Sequence, residues 1–146
     1  MLKLPEIRIL AFGFPLSLAW EFLQSPFYMD TFTELWTTVA YNRIHCSIGD
    51  VLILLAAFWA LSLLWGRSWL SKAGVMPSAV FVIIGISYTI LSEHYNVSVA
   101  QNWAYSQWMP MAGSIGVLPV VQWLLLPLLV LRLSRPVKSS NRTGKQ

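Results

Sequence analysis

The stretch 47–65, SIGDVLILLAAFWALSLLW, decides the fold class. After Asp50 it is nearly pure Leu, Ala, Val and Ile, with no Gly or Pro to interrupt a helix. About 20 apolar residues in a helix match the hydrocarbon thickness of a bilayer. A helix is also what lipid requires, because its backbone satisfies its own hydrogen bonds. Working outward, three more apolar runs appear, at 7–28, 75–92 and 115–133. The first carries Pro15, Glu21 and Gln24, and the last carries Pro119, Gln122 and Pro127. Two prolines would kink the last helix, which membrane helices tolerate.

The composition agrees. Of 146 residues, 56% are hydrophobic and only 11% charged, whereas a soluble domain carries about 25% charged residues. Sixteen charged side chains cannot cover a water-soluble globule of this size. A soluble domain and a disordered chain are thereby excluded. The single cysteine, Cys46, excludes an intrachain disulfide scaffold. The expected fold is all-α: an integral membrane four-helix bundle over residues 1–134, followed by a basic tail, 135–146, expected to be disordered.

Cleavage of the first run as a signal peptide, after Ser17-Leu18-Ala19, fits poorly. Glu6 and Pro15 are out of place, and the apolar character continues to Phe27.

The basic residues set an orientation. Lys3 and Arg8 precede the first run, Arg67 and Lys72 lie between the second and third, and Arg132, Arg135, Lys138, Arg142 and Lys145 close the chain. Only Arg43 lies between the first two runs, and none lies between the last two. By the positive-inside rule both termini and the short middle loop are cytoplasmic, and the longer loops face outward. The expected location is the inner (plasma) membrane. The net charge of +4 is tail charge that can touch anionic lipid headgroups. No recognition motif accompanies it, so nucleic acid is not an expected partner.

The polar residues inside the runs carry the functional reading, since ionisable groups in membrane helices are rare and mark function by default. At about 1.5 Å of rise per residue, Glu21, Asp50, Glu93 and Gln122 all fall toward the outer side. The inner half holds essentially no charge between the interfaces. Ser17, Glu21, Gln24 and Tyr28 recur at helical spacing and share one face. Asn42, Cys46 and Asp50 share another if the second helix begins early, with His45 at its edge, and Thr89, Glu93 and Asn96 share a third. Turning a charge toward lipid costs about 2.5–3.5 kcal/mol on insertion scales. The three faces should therefore meet in a polar pocket open to the outer side, rimmed by loop aromatics.

Glu21 beside Trp20 is the principal candidate for a general acid or base in that pocket. Asp50 and Glu93 are the second carboxylates. Asp50, near the start of its run, would also suit the positive end of a helix dipole. Trp20, Gln24, His45, His94, Asn96 and Gln122 are the expected ligand-binding residues. The ligand would be a small amphipathic or lipid-like molecule, converted by chemistry such as isomerisation, cyclisation or hydration.

Two other readings compete. One is a non-catalytic accessory or assembly subunit, whose polar face binds a membrane-protein partner or a second copy of the chain. The other is copper handling by His45-Cys46, His94 and Met109-Pro110-Met111, whose soft ligands suit Cu(I). No CxxC or HxxxH spacing supports copper. The paired cysteines of four-helix disulfide oxidoreductases and the aspartate-centred motifs of lipoprotein signal peptidases are also missing.

Overall fold

A computed structural model describes residues 4–72 and 74–136. Lys3 and the tail beyond Pro136, with Lys138, Arg142 and Lys145, lie outside the described residues. The chain is mostly helical. Helix α1 spans Pro5–Gln24, with Pro5 in its first turn, where the missing N–H costs nothing. It passes into a 3₁₀ turn, Ser25–Phe27, where Ser25 N–H bonds to the Phe22 carbonyl and Pro26 has no N–H to continue the α-helical ladder. A one-turn helix α2, Asp30–Thr33, leads to the 30-residue helix α3, Trp36–Trp65. Gly66 ends α3 with φ +75°, a left-handed conformation that glycine adopts without steric penalty. A 3₁₀ segment, Arg67–Lys72, turns the chain into α4, Val75–His94, which continues through a π turn, Tyr95–Val99. Helix α5, Val117–Ser134, closes the described chain.

Three of these helices are long and apolar enough to cross a membrane: Trp36–Trp65, Val75–Val99 and Val117–Ser134. Length and composition of this kind suggest a membrane-embedded protein. Helix α1 is not among the three, its apolar run being diluted by Arg8, Pro15, Glu21 and Gln24.

The long helices pack α1 on α3 and α5, α4 on α5, and α3 on α4. One end is tied by Glu6 of α1, which accepts hydrogen bonds from Arg67 and, at 3.4 Å, from Trp59. At the same end Arg8 donates to the Ser134 carbonyl at 3.2 Å. The apolar core includes Ile9, Leu54, Phe58, Leu61, Phe81 and Leu131 around Trp69, whose ring stands 5.9 Å from Phe58 and 5.8 Å from Phe81. The opposite end is polar.

Several boundaries differ from expectation. The second run begins eleven residues earlier, at Trp36, because residues 36–46 continue the helix as a polar and aromatic extension. Asp50 is therefore mid-helix, and the helix-dipole role expected for it does not apply. Pro119 falls in the first turn of α5, where no backbone bond is lost, so Pro127 is the proline within the helix body. A short antiparallel hairpin, β1 (Met111–Ala112) and β2 (Ile115–Gly116), interrupts the otherwise helical chain ahead of α5.

Candidate functional site

The polar end holds a cavity of about 530 Å³ enclosed by α1, α3, α4, α5 and the loop that follows the π turn. The face expected on α1 is buried along its length: Ser17, Glu21, Gln24 and Tyr28 are each no more than 5% exposed. Asn42, Cys46 and Asp50 of α3 line the cavity, as do Thr89 and Glu93 of α4 and Asn96 of the π turn. All three polar faces thus turn to one space.

An unbroken chain of hydrogen bonds links two of the carboxylates. Gln24 Nε2 donates to Glu21 Oε1 at 2.8 Å and lies 3.5 Å from Gln122 Oε1. Gln122 Nε2 donates in turn to Asp50 Oδ2 at 2.6 Å. Trp20 orients Gln24 by donating its indole N–H to Oε1 at 3.0 Å. Two glutamines with consistent donor and acceptor directions therefore hold Glu21 and Asp50, on α1 and α3, through α5. An amide suits this position because it both donates and accepts, carries no charge, and lets each carboxylate keep acceptor sites for something else.

Glu93 is bound differently. Its Oε2 accepts from the Tyr105 hydroxyl and, at 3.4 Å, from the Trp103 indole. Both donors come from the loop that follows the π turn. That loop is pinned to the segment that follows α1: Met29 N donates to the Ala104 carbonyl and Ser106 N to the Phe27 carbonyl, each at 2.9 Å. The Ser106 hydroxyl adds a bond to the Pro26 carbonyl at 2.8 Å. Burial, reinforced by the bond to Glu93, pushes the Tyr105 hydroxyl well above the usual tyrosine range. Tyr105 therefore remains a proton donor to Glu93 at any physiological pH.

The sequence reading missed Arg43, counting it only as a loop charge. It lies on α3, seven residues before Asp50, and is 3% exposed. Its guanidinium pairs with Asp30, donates from Nε to Ser25 Oγ at 2.9 Å, and stands 5.0 Å from the centre of the Tyr28 ring. Asn42 adds a 3.2 Å bond to Asp30. A helix starting eleven residues earlier would have put Arg43 on the same face as Asp50, so the signal was helical spacing beyond the apolar run.

The remaining candidates divide. His45 lines the cavity from an exposed position, stacked on Tyr41 at 6.1 Å. His94 is exposed and is not among the lining residues. Trp20 acts on the cavity only through Gln24. Asn96 lines it while donating to the Ser92 carbonyl at 2.8 Å and accepting from Asn102 at 2.7 Å. For copper, no group of three or more His, Cys, Asp or Glu capable of holding a metal occurs among the described residues. Met109 is buried against Gly116, while Met111 is exposed.

No family model, no curated protein and no solved structure matches the chain.

Proposed function

We propose that this is a multi-pass protein of the inner (plasma) membrane, a four-span helical bundle with both termini cytoplasmic, whose polar cavity opens outward. In this reading the cavity takes up a small amphipathic or lipid-like ligand and converts it by acid–base chemistry. The observation that carries the proposal is the gathering of Glu21, Asp50 and Glu93 around one cavity in a chain with only six acidic residues. Three carboxylates within apolar helices are costly to keep, and structural glue would need none of the empty volume between them. A volume of about 530 Å³ lies within the range of small-molecule sites. Large exposed apolar side chains such as Leu63, Leu128 and Ile83 on α3, α5 and α4 suit contact with lipid rather than water.

Glu21 is the principal acid or base. Asp50, tied to it through Gln24 and Gln122, is the second carboxylate, so that one group can give a proton while the other accepts one. Isomerisation, cyclisation and hydration each need that exchange at two nearby atoms. Gln24, Gln122 and Asn96 orient the ligand.

Native mass spectrometry of gently extracted protein tests the reading. The expected result is a bound lipid-like molecule at one per chain. In membranes supplied with that molecule, Glu21→Gln should abolish its conversion while leaving the folded yield unchanged. A stoichiometric protein partner with no small molecule would instead identify an accessory subunit and overturn the proposal.

A further inference from the structure

We propose that the head group received by this cavity is a primary ammonium, so that the ligand is a cationic amphiphile. The inference rests on the ligand-binding reading above and adds the charge class. It follows first from the balance of charge. The lining holds four carboxylates, Glu21, Asp30, Asp50 and Glu93, against one guanidinium, Arg43. Asp30 already takes that guanidinium. Three acidic groups are left without a cation in a space walled by helices.

The balance of donors and acceptors points the same way. The amide N–H groups that reach the carboxylates are committed, Gln24 to Glu21 and Gln122 to Asp50. The loop donors Trp103 and Tyr105 both go to Oε2 of Glu93, and its Oε1 has no hydrogen-bond partner among the described residues. One helical turn earlier, Thr89 lines the cavity, is 6% exposed, and its hydroxyl also has no partner among the described residues. Other helical hydroxyls take a different course. The hydroxyls of Ser47, Ser62 and Ser78 each bond back to the carbonyl four residues before them, as helical hydroxyls commonly do. The Thr89 hydroxyl is not sealed into the protein but remains accessible at the cavity, where a ligand can supply a donor. Thr89 and Glu93, four apart on α4, present two unused acceptors on one face.

An ammonium meets these requirements. It brings three donors and no acceptor, and its charge offsets the carboxylate excess. Tyr88 and Trp123 are also in the lining, and aromatic rings attract cations and pack against methylenes. A carboxylate or phosphate head would find Arg43, which is already engaged by Asp30, Ser25 and the Tyr28 ring, and His45, which is exposed and stacked on Tyr41. A hydroxyl head brings one donor and no charge.

The test uses the full chain in phosphatidylcholine nanodiscs near neutral pH. Tryptophan fluorescence reports on Trp103 and Trp123, which both line the cavity. Octylamine, octan-1-ol, octanoate and octyltrimethylammonium are titrated, with protein-free nanodiscs subtracted. Octylamine should saturate about tenfold more tightly than octan-1-ol, the value of one charge-assisted hydrogen bond over a neutral one. Octyltrimethylammonium, which lacks N–H donors, should bind more weakly than octylamine, and octanoate should not saturate. Thr89→Val, which preserves shape, and Glu93→Gln should each reduce the preference for octylamine. If Glu93→Gln does not fold, the Thr89→Val comparison decides. Octan-1-ol or octanoate saturating as tightly as octylamine overturns the ammonium assignment and leaves the ligand-binding reading standing. An unchanged preference in the variants overturns the placement on Thr89 and Glu93. Saturation by none of the four, in a protein that carries no bound molecule when extracted, overturns both proposals.

Discussion

Gly85 of α4 lies directly against the indole of Trp123 on α5: a Cβ at Gly85 would stand 2.0 Å from Trp123 Cε3 and 2.3 Å from Cζ3. The ring is 4% exposed and forms part of the cavity wall, so it has no free direction in which to retreat. Gly85→Ala should therefore destabilise the protein by about 1–3 kcal/mol, the usual cost of overpacking, read as a lower melting temperature in mild detergent. The two positions should couple strongly because they are in contact. Trp123→Leu should cost much less in the Gly85→Ala background than in the natural sequence. Independent effects would show that α4 and α5 do not meet through this pair.

Arg43 and Asp30 form a pair whose side chains are 4% and 14% exposed. Removing one member of such a pair strands a charge, at a cost of about 3–5 kcal/mol, whereas replacing both by apolar groups can be close to neutral. Arg43→Met and Asp30→Leu should each be strongly destabilising, and the double variant should be more stable than either single one. Chemical unfolding of the three variants in one detergent provides the comparison. A double variant as unstable as the sum of the singles would mean that Ser25 and Tyr28, not Asp30, hold the guanidinium.

The contrast between these two contacts shows what the sequence makes legible. Apolar runs and their lengths were readable because lipid and a helix core both demand them, and helical spacing alone brought Glu21, Gln24, Asp50, Thr89 and Glu93 to inward faces. Arg43 was not readable in the same way. Residues 36–46 are polar and aromatic, so hydrophobicity marked the helix as starting at Ser47 when hydrogen bonding starts it at Trp36. The bond from Gln122 to Asp50 spans 72 positions and Tyr105 meets Glu93 across a loop, and neither leaves a periodic trace. The fit of Gly85 under Trp123 depends on helix rotation, which spacing within one helix does not fix.

Tyr105 offers a pH-dependent readout outside the helices. Its hydroxyl is pushed above the ordinary tyrosine value, about 10, by burial and by its bond to Glu93. A group whose folded pKa is raised contributes stability that is fully present below the unfolded value and is lost as pH rises through the folded one. The loop contact should therefore persist at neutral pH and weaken only in strongly alkaline solution. In ultraviolet titration of the folded protein, the late-titrating phenolate signal should be smaller by one phenol in Tyr105→Phe. That variant should also lose part of the alkaline dependence of stability. Loss of an ordinary phenol step, with the late-titrating part left unchanged by Tyr105→Phe, would mean that the hydroxyl is open to water.

The orientation proposed for the membrane can be tested at the two ends of α4. Ser71 is exposed in the turn before this helix and Ser98 is exposed in the π turn after it. The positive-inside argument assigns the first to the cytoplasm with Arg67 and Lys72, and the second to the outer face with the cavity. In a Cys46→Ser background, Ser98→Cys should react with a membrane-impermeant maleimide in intact cells. Ser71→Cys should react only after the cells are opened. The reverse pattern would invert the orientation and turn the cavity to the cytoplasm. Labelling of both from the same side would mean that α4 does not cross the bilayer, despite a length and composition sufficient to do so.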